Sequence, residues 1–115
     1  MIIIAFAKNT SKWVPRIFCR HFYHCAVIVP MDSHLMMFQF IRPHRVVQIP
    51  LRNRDIQILR THGWHFVYVG QNLPDGFNPH GAKTCVDLAR RALGMSPRLC
   101  QTPYGLYKYL MRHIQ

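Results

Sequence analysis

Between residues 70 and 81 the chain reads GQNLPDGFNPHG, with three glycines, two prolines and two asparagines in twelve positions. Neither a helix nor a strand ladder tolerates breakers at that density, so this stretch is a loop, and it divides the chain into two unlike parts. Upstream, the apolar runs are short and rich in β-branched and aromatic residues; downstream, two stretches carry helix caps and helix-forming sequence. Strands gathered first and two helices closing the chain define the α+β class. The expected fold is a single domain over residues 1–115, with an antiparallel sheet of about four to five strands and two C-terminal helices.

In order, residues 1–7 form a short isoleucine-rich strand suited to burial on both faces, and residues 11–20 a short helical piece limited by Pro15. A strand over 22–29 and another over 35–41 flank the turn residues 30–33, making a hairpin. If Met31 and Asp32 are the central turn residues, antiparallel counting places Gln39 opposite His24 on one face of the ribbon. Proline borders mark 42–50 as an edge or crossing segment with a strand at 46–49. A helix follows over 53–62, capped by Asn53, with Ile56, Leu59 and Ile58 on its apolar face and Gly63 ending it. Residues 64–69 are the last strand before the loop. Thr84 caps the next helix and Gly94 closes it; Thr102 and Pro103 open the final one, whose stripe is Leu106, Tyr109, Leu110 and His113.

The 115 residues carry fifteen Lys and Arg against four acids, a formal charge of +11, and all four acids are aspartates. That balance attracts anionic partners: an acidic or cell-wall polymer, a peptide substrate, or nucleic acid. The opening MIIIAFAK has no basic n-region and no cleavage site, so no signal peptide is expected. Nor does any apolar run approach the ~20 residues of a membrane-spanning helix. A cytoplasmic protein, or one packaged in a particle, is the resulting expectation. The four cysteines form no CxxC pair, and reduced thiols are the default.

Cys85 falls at the first helical position after the Thr84 cap. Free backbone N–H groups and the positive end of the helix dipole both favour a thiolate there. A buried structural cysteine has the same local sequence, so the choice rests on what else the chain supplies. His24 lies in an otherwise apolar strand, where an unpaired imidazole costs several kcal/mol, on the order of a buried polar group. Gln39, on the neighbouring strand, offers an amide to that imidazole. A thiol, a base and a group to orient the base are the parts of a thiol hydrolase.

FYHCAVIV, followed much later by AKTCVDLARRALG and a closing TPYGLYKYL helix, resembles the circularly permuted papain-like cysteine hydrolases of the NlpC type, in which the histidine strands precede the cysteine helix. That group includes cell-wall amidases and endopeptidases, lipid acyltransferases and phage-encoded members. The resemblance implies a permuted papain-like fold, Cys85 as nucleophile, His24 as base and Gln39 as the orienting residue. The group's usual oxyanion partner is not evident, which leaves Asn78, His80 and the Cys85 backbone N–H as candidates.

Two other readings come from the same residues. Cys19, His21, His24 and Cys25 make a C-x-H-x-x-H-C cluster of zinc-ligand types. On a strand, however, positions 21 and 24 point to opposite faces and so do 24 and 25, so no metal or other cofactor is assigned. The basic charge, with aromatics interleaved at Arg16, Phe18, Arg20, Phe22 and Tyr23, fits a small nucleic-acid-binding or virion structural protein without catalysis.

Overall fold

A computed structural model describes residues 1–7, 24–41, 45–96 and 99–113. Five strands, β1 (Ile2–Ala7), β2 (His24–Pro30), β3 (Leu35–Ile41), β4 (Arg45–Leu51) and β5 (Trp64–Val69), make one antiparallel sheet in the order β4-β3-β2-β1-β5. Helix α1 (Asn53–Thr61) follows β4; α2 (Cys85–Leu93) and α3 (Pro103–His113) close the chain. This is the α+β architecture that the division of the sequence predicts. The short helical piece expected over 11–20, with Trp13, lies outside the described residues.

The sheet is covered on both faces, and β1, an interior strand between β2 and β5, is buried along its whole length. Alternation along each strand sorts the side chains. Ile2, Ile4 and Phe6 of β1, with Cys25 and Val27 of β2, face α2 and α3 and pack on Leu88, Ala89, Ala92, Leu106 and Leu110. Ala89 and Ala92 have no bulk to hold the helix off the strands. Ile3 and Ala5, with Ala26 and Ile28, face the other way onto Ile56 of α1. Because β4 and β5 are the two edges, the connection through α1 runs from one side of the sheet to the other and closes that face.

Local sequence set most element ends. Thr84 Oγ1 accepts from Asp87 N–H at 2.9 Å, and Gly94 ends α2 in the left-handed region at φ 68°. Thr102 Oγ1 accepts from Gly105 N–H at 3.0 Å at the start of α3. Three expectations are corrected. The α1 cap is Arg52, not Asn53: Asp55 reaches back to accept Arg52 N–H at 2.8 Å, so Asn53 falls inside the first turn. Ile58 is exposed, because the sheet meets the Ile56 and Leu59 side of α1. His113 is exposed and meets Tyr109 ring to ring, while Leu106 and Leu110 fill the core.

The hairpin register also differs from the simple count. Met31 N–H bonds His34 O at 2.8 Å and the first pair is Pro30↔Leu35, so the turn takes four residues, 31–34, rather than two. Each partner therefore moves by two positions. A two-residue shift preserves the face, so His24 and Gln39 still share a side of the ribbon, now on a diagonal.

Candidate active site

The β2–β3 pairing runs from Pro30↔Leu35 to Val27↔Phe38. Beyond it each strand pairs with its outer neighbour: Cys25 and His24 with Phe6 and Ala7 of β1, Gln39 to Ile41 with Val47 to Arg45 of β4. Strands β2 and β3 thus part at the end where β2 begins. Helix α2 packs on β2 and β3, with half-buried Cys85 at its first position.

Gln39 Nε2 lies 3.1 Å from His24 Nε2. That leaves Nδ1 as the imidazole nitrogen available to Cys85. Trp64 meets the same ring edge-on, at 6.0 Å between centroids. Register explains the contact: Trp64 and His24 both pair with Ala7, whose methyl leaves room for two rings across the row. An amide on one side and an indole on another restrict how the imidazole turns.

The Cys85 sulfur accepts hydrogen bonds from the Cys25 thiol, the His24 side chain and the Cys25 backbone N–H. The Cys25 thiol is the strongest influence holding Cys85 ionised; burial opposes it, and the His24 bond, the Cys25 amide and the His24 charge add to it. The Cys85 pKa falls to about 4. Cys25, with no exposed surface, moves the opposite way: its bond to Cys85, burial and the Cys85 charge all push its thiol up, against Arg90. One proton lies between two sulfurs and stays on fully buried Cys25, leaving half-buried Cys85 as the thiolate.

The segment before Cys85 is tied to the helix that follows. Asp87 Oδ2 accepts from Lys83 N–H at 3.0 Å and from Arg91 Nε at 3.3 Å, while its backbone N–H meets the Thr84 cap. Partial burial pushes the Asp87 carboxyl up, but the Lys83 amide and the Arg91 and Arg90 guanidiniums outweigh it and hold the pKa below the ordinary aspartate value. Gly81 completes the clamp. A Cβ there would stand 2.9 Å from Arg91 Nη1, so the bare backbone leaves the guanidinium its place.

Cys85, His24 and Gln39, named from sequence, are brought together. Asn78 and His80 lie on the turn that precedes α2. Asn78 caps the 3-10 turn Pro79–Gly81 by accepting His80 N–H at 3.1 Å, which uses its side-chain oxygen, and His80 is exposed on that turn. The third oxyanion candidate is better placed, because N–H groups in the first turn of a helix have no intrahelical acceptor. Sequence reasoning missed Cys25 and Trp64. It set Cys25 apart from His24 by strand alternation, and the Trp64 contact depends on a register across β1 that no local pattern encodes.

Of the zinc-type cluster, Cys19 and His21 lie outside the described residues, as do Arg16, Phe18, Arg20, Phe22 and Tyr23. Among the described residues no group of three or more His, Cys, Asp or Glu side chains is arranged to hold a metal ion, and no helix is long and apolar enough to cross a membrane. No family model, no curated protein and no solved structure matches the chain.

Proposed function

We propose that this chain is a cysteine hydrolase of the permuted papain-like, NlpC-like type, an amidase or endopeptidase that acts on a peptide or peptidoglycan amide bond through a thioester. The observation that carries the reading is the chain of contacts from Gln39 through His24 to Cys85 at the mouth of α2. The order of its parts, histidine strand before cysteine helix, supports the permuted form.

In this reaction the Cys85 thiolate attacks the carbonyl carbon, and the developing oxyanion faces the free N–H groups of the first turn of α2. Protonated His24 gives its proton to the leaving amine, and the C–N bond breaks to leave a thioester. His24, now neutral, takes one proton from water as that water attacks the thioester; the C–S bond breaks, the thiolate returns, and the acid product gives its remaining proton to solvent and departs as a carboxylate. Gln39 serves both states. Its amide donates to Nε2 when the ring is neutral, and after a half-turn that exchanges oxygen for nitrogen it accepts from Nε2–H when the ring is charged. The charge of +11 suits an anionic substrate such as a cell-wall polymer.

The same charge supports the second reading, a basic nucleic-acid-binding or virion structural protein without catalysis. One experiment separates the two. The protein is incubated with an activated ester, and with peptidoglycan and peptide amides, while intact mass and new amine ends are followed. An acyl adduct on Cys85 and amine release, both absent in Cys85→Ala and reduced in His24→Ala, support the hydrolase. No adduct and no cleavage, together with salt-sensitive DNA binding that survives in Cys85→Ala, overturn it.

A further inference from the structure

Among the described residues the side chains of His24 and Cys25 both bond the Cys85 sulfur, and amide hydrolysis has a use for the imidazole alone. The other is a second thiol, Cys25, which has no exposed surface, belongs to the core cluster against which Cys85 packs where α2 meets β2, and bonds the Cys85 sulfur. Both cysteines are free. We propose that Cys25 and Cys85 form a redox-active dithiol, in which a hydroperoxide oxidises Cys85 and Cys25 then resolves the product into a reversible disulfide between β2 and α2.

Exposure sets the order of events. Cys85 is half-buried at the start of a helix, where a small peroxide reaches it, whereas Cys25 is closed to solvent but touches the sulfur that is open. In the first step the Cys85 thiolate attacks one peroxide oxygen, the O–O bond breaks, and the departing oxygen takes a proton to leave as alcohol or water. Cys85 is then a sulfenic acid. In the second step the Cys25 sulfur attacks the Cys85 sulfur, the S–O bond breaks, and the hydroxide leaves as water with the Cys25 proton. The two sulfurs have supplied two electrons to one peroxide. An external thiol returns them by exchange.

The contact also times the second step. While Cys85 is a thiolate, its hydrogen bond is the strongest influence keeping the proton on Cys25, with burial and the Cys85 charge adding to it. A neutral sulfenic acid brings neither that charge nor the thiolate acceptor. Cys25 is therefore freed to react once its partner has been oxidised, and not before.

The test uses the full chain carrying Cys19→Ser and Cys100→Ser, treated with about three equivalents of hydrogen peroxide, enough for the two oxidations that a sulfinic acid requires, then alkylated under denaturing conditions and mapped by mass spectrometry. The expected product takes up no alkyl group at either sulfur, is lighter by about 2 Da than the reduced chain before alkylation, contains a peptide cross-link joining Cys25 to Cys85, and is restored by dithiothreitol. When Cys25→Ser is added, and separately Cys25→Ala with its fold checked by circular dichroism, Cys85 instead gains about 32 Da as a sulfinic acid that dithiothreitol does not reverse. The proposal is overturned if the chain that retains Cys25 accumulates sulfinic acid as fast as those variants, or if Cys85 in the folded chain is oxidised no faster than in the denatured chain. Hydrolysis does not enter the readout. A chain that links the two sulfurs without cleaving any amide supports the dithiol, and one that cleaves amides without linking them overturns it.

Discussion

Gln39 Nε2 stands 3.1 Å from Nε2 of His24 although the two residues are diagonal, not opposite, across the opened end of the β2–β3 pair. The amide fixes one nitrogen of the ring, so the other is presented to Cys85 in a set orientation. Replacing Gln39 by Ala removes that restraint while leaving the nucleophile in place. Since a net hydrogen bond is worth about 0.5–1.5 kcal/mol, acylation of Cys85 by an activated ester is expected to slow by roughly two- to tenfold. Single-turnover rates measure it; an unchanged rate would show that the bond does not orient the base.

The ionisation of Cys85 gives a pH signature. With its pKa near 4, Cys85 should react with iodoacetamide at a nearly constant rate from pH 8 down to about pH 5 and slow as pH falls through 4. The Cys25 thiol is the leading cause of that shift, so Cys25→Ala should move the acid limb to higher pH. Peptide-resolved alkylation follows both profiles in one experiment.

The same shift makes stability depend on pH. Between about 4 and the ordinary thiol range, an unfolded chain keeps the Cys85 proton that the folded chain has released, so this group adds stability as pH rises through that window and loses it as pH falls through about 4. Cys25 acts in the opposite sense at alkaline pH. Its folded pKa is raised, so above its unfolded value the unfolded chain ionises first and stability declines. Urea denaturation of wild type and Cys85→Ala across pH 4 to 8 should show a rise in the first that is flattened in the second.

Arg90 is a buried cation whose Nη1 donates to Leu99 O at 3.0 Å, Cys100 O at 3.3 Å and Gln101 Oε1 at 3.4 Å. It holds the chain ahead of α3 where Cys100 sits at φ 55°, a conformation that L-residues resist. Arg90→Met deprives those acceptors of their donor and should lower unfolding free energy by about 2–4 kcal/mol. Arg90→Lys should recover little of it, because one ammonium cannot reproduce the planar fork. Chemical denaturation of the two variants decides the matter.

The Thr84 cap links helix stability to the position of the nucleophile. Thr84→Ala should cost about 1 kcal/mol through loss of the bond to Asp87 N–H. Thr84→Ser, which keeps the oxygen, should cost less than half of that, and thermal melts of the pair distinguish a lost cap from a lost methyl contact.

Much of this was readable locally. The Thr84 cap, the Gly94 stop, the β-branched run of β1 and the breaker-rich loop each act over a few residues, so the elements and their ends could be read from spacing and turn chemistry. The Arg52 cap escaped because Asp55 supplies the carboxylate from inside the helix, where the cap residue itself carries no suggestive oxygen. Gln39 was found with the wrong turn length, since an error of two residues moves a partner without changing its face. Cys25 was assigned away from His24 by a rule that describes side-chain directions along one strand and says nothing about a helix end approaching from outside.

Taken alone, the sequence determined the α+β class, the helix that begins at Cys85 and the parity that keeps His24 and Gln39 on one side, because caps and strand alternation are properties of neighbouring residues. The tertiary structure decided that β2 and β3 part at the mouth of α2, that Trp64 reaches His24 across Ala7, and that two distant cysteines share one proton. Those relations arise where separate elements pack, and a sulfur's affinity for its proton is set by whichever groups that packing brings beside it.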